Sequence, residues 1–127
     1  MRDLRFGYWW LCGGIGLLVY VMYATLAPVG PAPAFINDKL AHFLAFAALM
    51  VWFSGVYRPG WLPLVAVFLA AFGIAIELVQ ARLTYRSAEV ADALFDFAGI
   101  GVAWIIAVAG LGRWAEFIET RLLPRRS

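Results

Sequence analysis

The chain has 127 residues, 65% of them hydrophobic and 14% charged, with ten basic against eight acidic residues and a net charge of +2. At a mean hydropathy of +0.85 it is too apolar for a disordered chain or for a water-soluble domain, which keeps about a quarter of its residues charged. The even charge balance speaks against nucleic acid as a partner, and one cysteine, Cys12, rules out a disulfide framework or a cysteine-based metal centre within one chain.

Crossing a bilayer takes about 20 apolar residues, so a single domain of this length accommodates roughly four spans and little else. Each must be a helix, because an open strand edge leaves its backbone polar groups unsatisfied in lipid. The expected spans are about residues 7–27, 40–57, 61–80 and 93–111.

The first runs between Arg2 and Arg5 on one side and Pro28, Pro31 and Pro33 on the other. It exceeds the apolar region of a secretory signal and lacks an A-x-A-like end, so it is expected to be retained. Tyr8, Trp9 and Trp10 near its start and Tyr20 and Tyr23 near its end are placed like interfacial aromatic belts. Cys12 is expected to be a small buried packing residue.

Arg58-Pro59-Gly60 forms the turn between the second and third spans, and the polar connection Ala81 to Asp92 leads to the fourth. Ala66 with Ala70, Ala71 with Ala75 and Ala103 with Ala107 place small residues four apart, where helices approach closely. Beyond Gly112, residues 113–123 put Trp114, Phe117, Ile118 and Leu122 on one helical face and Glu116, Glu119 and Thr120 largely off it. That pattern predicts an amphipathic helix lying at the membrane surface. The fold class is therefore all-α: a polytopic four-helix transmembrane bundle with a short C-terminal interfacial helix.

Arg2, Arg5, Arg58, Arg113, Arg121, Arg125 and Arg126 fall on one side of this arrangement, and Lys39, Arg82 and Arg86 on the other. The positive-inside rule makes both termini cytoplasmic and turns the loops before the second and fourth spans outward.

The unusual polar residues then collect on the outer side. Asp38 and His42 share a face at the start of the second span with Lys39 beside them, Glu77 and Gln80 share one at the end of the third, and Asp92 and Asp96 share one at the start of the fourth. An ionised carboxylate near the bilayer centre costs about 3 kcal/mol or more, so Glu77 and Asp96, roughly one turn inside the interface, are expected to turn inward toward Lys39, His42 or Arg86. Structural roles compete: Asp38 and Asp92 suit helix capping, Lys39 and Arg82 suit interfacial anchoring, and Glu77 and Asp96 suit a buried ion pair.

The ordered set Asp38-Lys39-x-x-His42-Phe43-x-x-Phe46, Glu77-x-x-Gln80, Arg86-Ser87 and Asp92-x-x-x-Asp96-x-x-Gly99 resembles the VanZ-like family of small bacterial integral membrane proteins, over about Asp38 to Gly101. The chain departs from the family pattern at Asp96, where asparagine is frequent, and the extra carboxylate alters which cation or proton the cluster holds. The resemblance implies a multi-pass protein of the bacterial cytoplasmic membrane in a family associated with resistance to the glycopeptide teicoplanin. It names no reaction.

The residues support recognition of an anionic membrane lipid or lipid-linked envelope precursor by Asp38, Lys39, His42, Glu77, Gln80, Arg86, Asp92 and Asp96, with Phe43, Phe46, Phe95 and Phe97 near its chains. An enzyme is the alternative, with His42 and a carboxylate, Asp38 or Glu77, as acid and base on a lipid-linked substrate and Ser87 the nearest hydroxyl. A structural or proton-handling bundle is the third; the lack of ionisable groups in the inner half opposes proton movement and leaves the structural role open. No cofactor or metal motif stands out, and the oligomeric state is open.

Overall fold

In the computed structural model the described residues are 1–26, 38–83 and 90–123, with the side chain of Asp38 outside that set. The proline-bearing loop after the first span and Arg125 and Arg126 lie beyond it. Four long helices follow in order: α1 (Gly7–Leu26), α2 (Asp38–Val56), α3 (Leu62–Gln80) and α4 (Val90–Ala109). All four are long and apolar enough to cross a membrane. No strand occurs among the described residues.

Local chemistry explains the breaks. Between α2 and α3 the Pro59–Trp61 stretch winds as a tight 3-10 turn, and Pro63 occupies the first turn of α3, where its missing N–H costs nothing. Helix α4 begins at Val90, earlier than the polarity pattern indicates, so Asp92 sits inside its first turn and not at the capping position in front of it. Gly110, at φ 145°, ends α4 in backbone geometry that a side chain would strain.

Helix α2 is the axis of the bundle. Its Phe46, Leu49, Met50 and Phe53 form the core with Leu69 and Ile76 of α3, Ile100 and Ala103 of α4 and Val21 of α1. Its most extensive packing is against α4. Gly99 permits this: a Cβ there would collide with the carbonyl oxygen of Phe43, so the two backbones touch. Of the alanine pairs, Ala103 and Ala107 are buried, whereas Ala71 and Ala75 face outward. Val67, Phe68, Ile105 and Val108 are exposed in the isolated chain, as lipid-facing residues are. Cys12 is also exposed, which corrects its reading as a buried packing residue; it lies on the outer side of the most peripheral helix.

The C-terminal segment continues as a 3-10 turn (Leu111–Arg113), a short α5 (Trp114–Phe117) and a π-helical turn (Ile118–Leu122). The helical-wheel view put Glu119 on the polar face, but it is buried against the N-terminus. Its Oε1 accepts from the Arg5 amide at 2.5 Å and the Phe6 amide at 3.2 Å, and its Oε2 accepts from the Trp10 indole at 2.9 Å. Three orphan donors at and before the start of α1 thus find one carboxylate. Trp10, expected in an aromatic belt, instead packs edge-on to Trp114 with centroids 5.3 Å apart, and Trp52 completes the group. Tyr8 and Trp9 remain exposed.

Candidate functional site

At the opposite end of the bundle the start of α2, the end of α3 and the start of α4 converge. Asp92 and Asp96, one helical turn apart on α4, both face α2 and are both buried. His42 lies between them. Its Nδ1 is 2.7 Å from Asp96 Oδ1, and its Nε2 is 4.0 Å from Asp92 Oδ2. With Nδ1 carrying the proton, the ring donates to Asp96 and presents Nε2 toward Asp92.

Glu77 of α3 brings a carboxylate oxygen into the same space: one donor atom from each of His42, Glu77 and Asp92 lies within 4.8 Å of the others. Lys39, half-exposed at the rim, puts its Nζ 4.0 Å from Asp92 Oδ1. Asp96 is the deepest member. It is fully buried, and its Oδ2 has no hydrogen-bond partner among the described residues. That oxygen sits where a Cβ on Gly73 of α3 would come within 2.9 Å of it, so glycine leaves the carboxylate its room.

Lys39, His42, Glu77, Asp92 and Asp96 therefore share one cluster. Gln80 does not join it in the expected way. Its Nε2 donates to the Thr25 carbonyl at 2.6 Å, tying α3 to α1. The side chain of Asp38, and Arg86 and Ser87 entirely, lie outside the described residues. Arg82 is exposed, as suits an interfacial anchor.

Asp96 turns inward to His42, one of the partners expected for it, and holds the ring at hydrogen-bonding distance. For the acid–base pair the sequence offered Asp38 or Glu77; Glu77 lies in the same cluster, and the side chain of Asp38 is outside the described residues. Positions 96 and 42 are far apart in the chain, and the α2–α4 approach at Gly99 selects His42 from the partners the sequence offered Asp96. The spacing rules also gave no role to Gly73 and Gly99, which make room for the cluster.

Beside the cluster a groove of about 490 Å³ runs along the α2–α4 seam, starting at Phe43 and passing Ala47, Val51, Val102 and Ile106 to Trp114. Phe43 follows His42 directly, so the groove begins at the level of the polar residues. Phe46 is instead buried in the core, and Phe95 and Phe97 are exposed on α4.

A family model described as VanZ/LLP1 matches residues 20–111. An uncharacterised protein of Schizosaccharomyces pombe is 33% identical over 98 residues. That match covers 74% of this chain and 59% of the relative, so the chain spans less than two thirds of the yeast protein's length. No solved structure matches.

Proposed function

The chain belongs to the VanZ/LLP1 family and has four helices able to cross a membrane, and on that premise we propose that it recognises an anionic lipid headgroup at the α2–α3–α4 polar cluster. One observation carries the reading: Lys39, His42, Glu77, Asp92 and Asp96 meet at one end of an otherwise apolar bundle, directly above the α2–α4 groove. From Phe43 to Val51 that groove runs about 12 Å by helical rise, against about 15 Å for half a hydrocarbon core. A phosphate at the rim meets the Lys39 ammonium, with Arg86 as a second cation, and one acyl or isoprenoid chain lies in the groove.

With both termini cytoplasmic, the cluster faces the outer leaflet of a bacterial cytoplasmic membrane. Lipid-linked wall precursors are exposed there, which connects the reading to the teicoplanin resistance implied by the family resemblance. The yeast relative favours the more general ligand, a phospholipid phosphate, since that chemistry is common to bacterial and fungal membranes.

Native mass spectrometry of protein purified from membranes containing phosphatidylglycerol tests the reading. The wild type is expected to retain the anionic lipid over phosphatidylcholine, and Lys39→Ala and Arg86→Ala to lose most of it while still inserting. The same lipid profile in both variants would overturn it.

The His42–Asp96 contact at 2.7 Å supports a second reading, since a carboxylate that orients an imidazole is the support a general base needs. Turnover of a lipid phosphate ester by purified protein, abolished in His42→Ala, would put this reading first.

A further inference from the structure

The cluster holds a concentration of ligand-type side chains that headgroup recognition leaves unanswered. Among the described residues three carboxylates, Glu77, Asp92 and Asp96, face one ammonium and one imidazole. Asp96 adds to this, because it is fully buried with Oδ2 unmatched by any described donor. Buried acceptors of that kind call for a cation or a bound donor.

We infer that His42 Nε2, Glu77 and Asp92 hold a divalent metal ion, with Asp96 behind His42 as the carboxylate that orients the ring. The donor set comes from three helices: one ring nitrogen of His42 and one carboxylate oxygen each of Glu77 and Asp92 already lie within 4.8 Å of one another, and His42 Nε2 and Asp92 Oδ2 are 4.0 Å apart. Donors about 2.1 Å from a tetrahedral ion stand about 3.4 Å apart, so side-chain adjustments of about 1 Å close the site.

The tautomer fits as well. With Asp96 accepting a hydrogen bond from Nδ1–H at 2.7 Å, Nε2 carries the lone pair, which is how metal-ligating histidines are commonly held in place. One imidazole and two carboxylates suit zinc or manganese better than calcium, which prefers oxygen alone, or copper(I), which prefers sulfur. Three protein ligands leave a coordination position open. A phosphate oxygen is the natural fourth ligand, drawn there by the charge of the ion. Metal binding itself does not depend on the lipid reading and is measurable without any phosphate-bearing molecule.

The test uses the full chain in a nonionic, phosphate-free detergent, stripped with a chelator and titrated calorimetrically with zinc chloride and, separately, manganese chloride. One equivalent per chain is expected for at least one of the two ions. Glu77→Gln and Asp92→Asn, close in shape to the originals, should each weaken binding by about tenfold or more, and Asp96→Asn by about 10- to 100-fold, as loss of an outer-shell carboxylate does. Circular dichroism establishes that each variant is folded, and Glu119→Gln at the other end of the bundle should keep wild-type affinity. Cobalt(II) substituted into the wild type should give the visible spectrum of a low-coordinate nitrogen–oxygen site, lost in Asp92→Asn. No saturable uptake of either ion, or equal affinity in the wild type, Glu77→Gln and Asp92→Asn, overturns the assignment.

Discussion

The two ends of the bundle bury the same kinds of residue and treat them in opposite ways. Where the termini meet, Glu119 accepts from two backbone amides and an indole, while Arg2 gives its amide to Val56 O at 2.7 Å and its Nε to Ser54 O at 2.9 Å. Each of these charged groups is enclosed by partners supplied by the chain itself. At the far end, Asp96 is more deeply buried than Glu119, yet one of its oxygens has no partner among the described residues, and a carboxyl and an imidazole crowd the same space. The contrast separates two uses of a buried charge. Surrounded by donors it joins segments, whereas with acceptor capacity to spare among the described residues it suits the ion proposed above.

Breaking the satisfied end should do the greater damage. Glu119→Ala leaves the Arg5 and Phe6 amides and the Trp10 indole without their acceptor, and the N-terminus loses its hold on the C-terminal segment. A loss of roughly 3 kcal/mol is expected, read as a lower unfolding temperature in detergent, with metal affinity per folded molecule unchanged. Unchanged stability would mean that the terminal contacts are incidental.

Gly99→Ala acts on the seam that assembles the other end. The added methyl meets the Phe43 carbonyl, and a backbone atom cannot rotate out of its way, so α2 and α4 must separate. About 2 kcal/mol of overpacking is expected. The sharper readout is the His42–Asp96 contact, which sets the imidazole environment in NMR. A shifted His42 resonance with the fold retained would establish that this glycine positions the cluster.

These differences also mark what the sequence reveals and what it hides. The four helices were legible because lipid leaves the backbone no other way to satisfy itself, and their lengths follow from the spacing of Arg58, Pro59, Gly60 and the polar connection. The i, i+4 pairing of Asp92 with Asp96 was legible for the same local reason. Contacts between distant segments were not. Helical periodicity assigned Glu119 to a water-facing side because it has no knowledge of the unsatisfied amides at the start of α1. Gln80 shares a face with Glu77, yet bonds to Thr25, since the choice between two neighbouring helices depends on the order of the bundle. For Asp96 the sequence offered Lys39, His42 or Arg86, and choosing His42 needed the closeness of α2 and α4, of which the glycine at 99 is a local trace.

The smallest expected change in stability is also the most discriminating one. Asp96→Asn preserves an oxygen to accept from His42 Nδ1 and replaces the unmatched Oδ2 with an NH2 group of nearly the same size, so packing against Gly73 is conserved. It removes a charge from a fully buried position. In a purely structural ion pair, losing the carboxylate opposite an imidazole is destabilising by several kcal/mol, because the partner is left buried without its counter-charge. If the cluster is instead prepared for a cation, metal-free protein holds surplus negative charge, and the substitution should leave the unfolding temperature unchanged or raise it by up to about 1 kcal/mol equivalent. Thermal unfolding of the chelated wild type and variant decides between the two, and a clear loss of stability in Asp96→Asn would make this end of the molecule a lock like the other.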